Sequence, residues 1–252
     1  MRRSLVYNWL LNLNKSMKIA LLGYGRMGKT IERYSIDRNH EIVFILDKDY
    51  EKGNINLADI AINFSIPEAA VSNIKIAMKK KIPVVCGTTG WLDSYEEIIN
   101  FCKTQNTAFL YASNFSIGVN IFFKINRLLA KLMGQNKKNY KADIKEVHHL
   151  HKLDSPSGTA ITLAKDIINN FDHKKWTLDK DDEENLFIET IRKGEIPGTH
   201  IIRYNSEIDE ISIKHEAFNR DGFALGAIIA AEWLVDKKGV YNMDDVVKIN
   251  HP

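Results

Sequence analysis

Lys18-Ile19-Ala20-Leu21-Leu22-Gly23-Tyr24-Gly25-Arg26-Met27-Gly28 is the stretch that decides how the chain folds. Residues 18–22 are apolar enough for a short buried strand, and a glycine-rich GxGxxG turn follows it at once. A helix is expected from there through about Asp37. In that setting each glycine has a physical task. Gly23 permits the tight turn, Gly25 lets a pyrophosphate approach the backbone, and Gly28 lets the helix pack close to the strand. The helix start leaves unpaired amides and a positive dipole end for phosphate. Roughly 20 residues further on, Asp47 closes a second strand over 41–46, the place where an acid binds ribose hydroxyls. Asp47 repels a 2′-phosphate, whereas Lys48 beside it and Arg26 neutralise one. Both NADH and NADPH are therefore expected as cofactors.

The alternation continues. Strands are expected over 58–63, 83–86 and 108–112, with helices from Pro67 through the basic run ending at Lys81 and over 94–104. Pro67 at a first turn and lysines at a last turn suit helix ends. Strand–helix alternation of this kind gives a Rossmann-type α/β fold, a doubly wound parallel sheet. Gly87-Thr88-Thr89-Gly90 and Ala112-Ser113-Asn114-Phe115 follow the fourth and fifth strands. They are expected at the carboxyl edge of the sheet, in reach of the nicotinamide and its ribose. Taken alone, the first of these loops reads equally well as a plain turn.

Beyond it the pattern changes to that of a second, α+β domain. A long apolar-periodic helix is expected over 119–133, a strand over 143–148 and a helix over 159–170. The charged stretch 172–185 reads as solvated loop. Strands over 200–205 and 207–215 are expected to form a hairpin around Asn205-Ser206, and an alanine-rich helix over 223–235 follows. The domain expectation is a dinucleotide-binding part, 17–115 with 221–252, and a substrate-binding and oligomerisation part, 116–220.

Composition narrows the partners. The chain has 252 residues, 44% hydrophobic and 27% charged, with a net charge of +3. That is ordinary for a soluble protein, and no basic stripe marks a nucleic-acid surface. Cys86 and Cys102, the only cysteines, make no disulfide framework and fit a reducing, cytoplasmic compartment. Residues 1–16 carry two arginines and an apolar run over 5–13 that is too short to span a bilayer. No membrane association is expected. Met17 is expected to open the folded part, with 1–16 a leader outside the fold or, alternatively, a targeting peptide.

The chemistry concentrates in residues 146–160, Glu-Val-His-His-Leu-His-Lys-Leu-Asp-Ser-Pro-Ser-Gly-Thr-Ala. A strand alternates its faces, so His148 and His149 cannot both enter a core. Lys152 is close enough to join one of them in a pocket. Pro156-Ser157-Gly158-Thr159 opens a helix with free amides for an anion. Imidazole, ammonium and helix start together describe an acid–base site that holds a carboxylate. Three plainer readings stand beside it. His-His-x-His also resembles a metal-ligand run, but there is no cysteine and no carboxylate at ligand spacing, and no metal is expected. The histidines also read as surface residues, and Ser-Gly-Thr as a simple helix cap.

These residues resemble the signature of the 4-hydroxy-tetrahydrodipicolinate reductase (dihydrodipicolinate reductase) family, whose pattern is acid-Ile-x-Glu-x-His-x3-Lys-x-Asp-x-Pro-Ser-Gly-Thr-Ala. Asp143-Ile144-Lys145-Glu146-Val147-His148, Lys152, Asp154 and Pro156 through Ala160 supply it here. The similarity runs over nearly all of 17–252. It takes in the glycine turn, Gly87–Gly90, residues 113–120, Arg192 with Gly194, Gly198 with His200, and then His215, Arg220 and 223–227. The resemblance implies NAD(P)H-dependent reduction of a cyclic dicarboxylate to tetrahydrodipicolinate, in the diaminopimelate route to lysine. It implies His148 as general acid and Lys152 as the group that binds substrate and assists the proton transfer. It also implies a carboxylate held by His149 and the amides of Gly158 and Thr159, and a homotetramer built through the second domain's sheet. Asp143 stands for the usual glutamate, Leu150 for a residue often basic, and Ile66 for an arginine common near the cofactor. The last change argues against a strong NADPH preference. Two other functions fit the dinucleotide motif: a non-catalytic NAD(P) sensor, and a dehydrogenase acting on an amino or sugar acid.

Overall fold

The computed structural model describes residues 16–248; nearly all of the expected leader lies outside them. Two compact units emerge among them, one formed by 16–116 together with 223–248, the other by Ile117–Gly222.

In the first unit, strand β1 (Lys18–Leu22) leads into helix α1 (Arg26–Asp37), then β2 (Glu41–Asp47), β3 (Tyr50–Gly53) and β4 (Ile60–Asn63). Helix α2 (Pro67–Lys79), β5 (Val84–Cys86), α3 (Tyr95–Gln105) and β6 (Ala108–Tyr111) complete the alternation. Pro67 occupies the first turn of α2 with Glu68, and Lys79 lies in the last, so both ends complement the helix dipole. One stripe of α2, Ala70, Ile74, Ala77 and Met78, packs in a buried cluster with Ala20, Leu22, Val84 and Cys86. Burying such a stripe contributes roughly 1.5–3 kcal/mol for each large side chain.

In the second unit, α4 (Ile117–Gly134), β7 (Lys141–His148) and α5 (Gly158–Ile168) precede β8 (Trp176–Thr177), β9 (Leu186–Arg192), β10 (Gly198–Asn205) and β11 (Glu210–Ala217). The strands form one mixed sheet in the order β11-β10-β7-β9-β8. Residues from α4 and α5 pack on it through Phe122, Ala130, Leu163, Ala164 and Ile167, against Ala142, Ile144, Ile188, Ile202 and Tyr204. Helix α6 (Asp221–Leu234) then returns the chain to the first unit, where β12 (Gly239–Tyr241) and the short α7 (Met243–Val246) end it.

The first sheet runs β12-β6-β5-β4-β1-β2-β3. Every pair in it is parallel except β2 with β3. Because β2 lies on one side of β1 and β4 on the other, the turn after β1 opens at the point where the strand order reverses. That is where open α/β sheets take ligands.

Several elements depart from expectation. β3, β8, β9 and β12 are additional strands, and β8 falls inside the stretch expected to be only loop. The β10–β11 hairpin closes with Asn205 paired to Glu210, so its turn spans four residues and not the Asn205-Ser206 step. Ser206 Oγ accepts there from the amides of Ile208 and Asp209.

A buried ionic cluster joins α1 to α6. The Glu232 carboxylate accepts from Arg38 Nε at 2.7 Å, Arg38 Nη2 at 2.8 Å and His40 Nε2 at 2.9 Å. His40 Nδ1 accepts from the Met17 amide at 3.2 Å, which leaves the His40 proton on Nε2. Further along, α6 approaches the loop after β6 so closely that a Cβ at Gly226 would lie 1.8 Å from the Phe115 carbonyl oxygen. Gly226→Ala is expected to cost about 3 kcal/mol through overpacking. Urea unfolding measures it, and an unchanged midpoint would contradict the close approach.

Candidate functional site

The glycine turn works through its backbone. Gly23 has φ +100°, and a Cβ there would meet the Phe64 carbonyl oxygen at 2.2 Å. A Cβ at Gly28 would meet the Gly23 oxygen at 2.3 Å, whereas one at Gly25 would meet nothing within 4 Å. Two glycines are thus required by packing. The third faces open space, as a backbone meant for a ligand does. Arg26 is exposed and Met27 half-buried, both in the first turn of α1.

Asp47, exposed at the end of β2, accepts from the Tyr24 amide at 3.2 Å and the Lys48 amide at 2.9 Å. Its carboxylate therefore holds the turn and still presents lone pairs outward. Tyr24 stacks on Tyr50 with ring centroids 6.3 Å apart. Its hydroxyl donates to Glu32, a bond that pushes the phenol up to about 12. A cavity of about 560 Å³ opens here, with Gly23, Gly25, Asp47, Lys48, Ile66 and Asn73 among its lining residues.

Of the other expected cofactor loops, Gly87 packs against Phe64, whose ring a Cβ would meet at 2.2 Å. Thr88 is buried, and its Oγ1 accepts from the Ser65 amide at 2.9 Å. Thr89 and Gly90 are exposed. Ala112 and Asn114 are half-buried and Ser113 is exposed. Phe115 is only 1% exposed and lies 5.6 Å from the Phe64 ring. Thr88 and the Phe115 side chain thus brace the sheet edge and are not open contact surfaces, because each fills the space beneath the neighbouring loop.

The second unit builds its site at the end of β7. Alternate residues Ala142, Ile144, Glu146 and His148 are buried, so one row passes from apolar core to ionisable groups. Glu146 has no exposed surface. Its oxygens accept from the Ser157 amide at 3.2 and 3.1 Å and from Arg192 Nη2 at 3.1 Å. His148 Nδ1 and His200 Nε2 each stand 3.6 Å from Glu146 Oε2. Burial pushes Glu146 up, but the His200 and Ser157 donors and the field of His148 outweigh it and hold the carboxyl at about 2. For His148, burial is the main downward influence. Glu146 opposes it, while His200, Lys152 and Arg192 add to the fall, to about 4.

Ser157 caps α5, its Oγ accepting from the Ala160 amide at 3.2 Å and lying 3.1 Å from His200 Nε2. The amides of Gly158 and Thr159 are in the first turn, where the helix offers them no partner. A Cβ at Gly158 would meet nothing within 4 Å. His149, just past the end of β7, is half-buried, and its Nε2 accepts from Arg220 at 3.0 Å. Lys152 does not join a histidine by hydrogen bond. It pairs with Asp154 at 2.8 and 2.9 Å, the nearest carboxylate on its own loop. Arg192 reaches that loop too, donating to the Asp154 carbonyl at 2.7 Å.

The residues whose roles sequence reasoning missed are Glu146, Arg192, His200 and Arg220. Glu146 was visible in the period-two alternation with His148; the others are placed by strand pairing and a loop far along the chain. Glu146, His148 and His200 do offer ligand atoms within 4.8 Å of one another, a carboxylate partner that sequence spacing had argued against. The Arg192 guanidinium already occupies that carboxylate, so a dication there would face a fixed positive charge, and the donor set does not fit a metal.

Comparison with known proteins gives a consistent result. The chain matches the family described as dihydrodipicolinate reductase, N-terminus over residues 17–115 and C-terminus over 118–247. A 4-hydroxy-tetrahydrodipicolinate reductase of Christiangramia forsetii is 54% identical over 234 residues, 92% of this chain and 98% of that protein. One from Methanocaldococcus jannaschii is 36% identical, covering 76% of this chain and 72% of its own. Dipicolinate-bound dihydrodipicolinate reductase from Paenisporosarcina sp. TG-14 shares the fold, with TM-score 0.77 at 20% identity over 92% of this chain and 99% of its own.

Two outcomes test this geometry. Gly25→Ala, at φ −72°, is expected to leave the melting temperature unchanged and to weaken NADH binding at least about 10-fold, since only ligand approach is blocked. Calorimetric titration reads it, and unaltered affinity would move the pyrophosphate elsewhere. The second concerns acid. His148 is lowered from 6.5 to about 4 and Glu146 from 4.5 to about 2, so in both windows the unfolded chain binds more protons. Stability is therefore expected to fall as pH drops from 6.5 to 4, and again from 4.5 to 2. In urea unfolding across these pH values, His148→Gln should flatten the upper window and Glu146→Gln the lower.

Proposed function

The chain belongs to the dihydrodipicolinate reductase family, and on that premise we propose how its residues divide the work. It is an NAD(P)H-dependent oxidoreductase that reduces 4-hydroxy-tetrahydrodipicolinate, by way of dihydrodipicolinate, to tetrahydrodipicolinate on the diaminopimelate route to lysine. The observation that carries the assignment of roles is the convergence of His148, the His149–Arg220 pair and an open helix start at one end of β7.

The first unit fits a dinucleotide: Gly25 faces open space, and the 560 Å³ cavity beside it is walled by Asp47 and Lys48. The turn from Gly23 to Gly28 would hold the pyrophosphate, and Asp47 the ribose. Gly87–Gly90 and Ala112–Phe115 would hold the far end, chiefly through backbone. Bound NAD(P)H supplies the hydride. Asp47 favours NADH, while Lys48 and exposed Arg26 offset a 2′-phosphate, so both cofactors serve.

The second unit takes the dicarboxylate. One carboxylate is held by the amides of Gly158 and Thr159 with His149, where Arg220 adds a guanidinium. Lys152 exchanges Asp154 for substrate. His148 delivers the proton. Its imidazole is neutral above about 4 in the free protein, and a dianion arriving beside it raises its proton affinity. Substrate binding thereby arms the acid. Exposed apolar residues on β11 and in the turn before it, Ile211 at 39% and Ile208 at 93%, support this unit as the oligomerisation surface of a homotetramer. No helix among the described residues is long and apolar enough to cross a membrane, and the reaction's soluble substrates suit the cytoplasm.

The experiment follows absorbance of NADH and NADPH with enzymatically generated 4-hydroxy-tetrahydrodipicolinate. His148→Gln and Lys152→Met are each expected to lower kcat at least about 100-fold with NADH affinity intact. Cofactor binding without turnover in the unmodified protein would instead favour the sensor reading.

A further inference from the structure

Glu146 has no surface for substrate to touch, yet it stands against His148, His200 and Arg192 together. His148 Nδ1 is buried and makes no hydrogen bond; the acceptor standing opposite it, at 3.6 Å, is Glu146 Oε2. The other ring nitrogen, Nε2, points away toward Gly198, where a Cβ would come within 3.1 Å of it. Glycine at that position keeps the Nε2 side clear. A carboxylate behind one imidazole nitrogen holds the proton there, fixes the ring's orientation and stabilises the imidazolium when it forms.

We propose that Glu146 is a positioning residue for the reduction: it fixes the Nδ1–H tautomer of His148 and supplies the charge that lets Nε2 take up and deliver the reaction's proton. The inference rests on His148 being the proton donor. The proton balance is simple. Solvent protonates His148 at Nε2 after substrate binds, the imidazolium passes that proton to the reduced intermediate, and Nδ1–H stays with Glu146 throughout. Glu146 itself remains ionised, because His200 and Ser157, with the field of His148, hold its carboxyl low against the effect of burial.

The groups that face His148 act with opposite signs. Glu146, on its own strand, favours the imidazolium; His200 on β10, Arg192 at the end of β9 and Lys152 on the following loop oppose it. His200 lies nearest in ring contact, with centroids 5.0 Å apart. Arg192 is on the far side of the same carboxylate and partly neutralises it. Removing the anion and removing its counter-charge therefore have contrary effects on the proton affinity of His148, which loss of packing alone does not produce.

The test is the pH dependence of kcat for the intact protein with both substrates saturating, in Glu146→Gln and Arg192→Met beside the unmodified chain. A required imidazolium makes kcat fall as pH rises through its titration. In Glu146→Gln the alkaline midpoint is expected to move down by at least about one pH unit, with kcat at neutral pH lowered on the order of 100-fold and NADH affinity unchanged. In Arg192→Met the midpoint is expected to move up. Midpoints that stay in place, or that move together, would overturn the role given to Glu146. If Glu146→Gln fails to fold, Glu146→Asp takes its place: the shorter carboxylate keeps the charge but sets it farther from Nδ1, so its alkaline midpoint is expected to move down, and a midpoint that stays in place would overturn the role given to Glu146. His148→Gln separates the two levels: full turnover there overturns the donor assignment itself, whereas its inactivity combined with fixed midpoints overturns Glu146 only.

Discussion

A carboxylate with no exposed surface, Glu146, is the interaction on which the second unit's architecture turns. Removing such a group from water costs several kcal/mol unless partners replace its hydration. Here the partners come from three different elements. The Ser157 amide begins α5, Arg192 ends β9, and His200 lies directly across from Glu146 in the β7–β10 ladder. The charge can be satisfied only when all of these are assembled. The same contacts pin the loop that carries Lys152 at two points beyond that lysine, at Ser157 and, through the Asp154 carbonyl, at Arg192. Chemistry and folding thus share one set of bonds.

The two ligand regions differ in construction. In the first unit the decisive atoms are main-chain: amides of the glycine turn, held by Asp47, with Gly23 and Gly28 fixed by contacts that admit no Cβ. Such a region depends on glycine and on strand order and tolerates change in most side chains. In the second unit the decisive atoms are ionisable and share one buried field. Exchange of any one group alters the proton affinity of the rest: Arg192 Nη2 alone donates to both the Glu146 carboxylate and the Asp154 carbonyl, so one atom ties the buried charge to the Lys152 loop.

How much was legible in sequence follows from how local each signal is. The parallel sheet was readable because β1, the glycine turn and α1 are contiguous, and because continuous apolar strands mark a sheet covered on both faces. Strand β3 was not, since Tyr50–Gly53 is exposed throughout and has no apolar alternation; it exists because β2 offers it an edge. β9 adjoins the charged stretch, and its placement depends on pairing with β7 more than 40 positions away. In the site, His148 and His149 were assigned opposite faces by strand geometry alone. Lys152 was assigned to a histidine and is found on Asp154, because proximity in sequence does not choose between two neighbours. Thr88 and Phe115, two of the expected cofactor residues, have buried side chains, which leaves their backbone for any contact.

The ionic junction of Arg38 and His40 with Glu232, together with β12 lying along β6, has a consequence for biosynthesis. A ribosome releases β1 through β6 first, then the whole of Ile117–Gly222, and only afterwards the residues that complete the first sheet. The second unit is continuous and can close as soon as it emerges, whereas the first must wait with an unsatisfied edge and an uncovered face. During that interval the nascent chain exposes apolar strands that invite association. The middle of the message can therefore complete its structure before the beginning does.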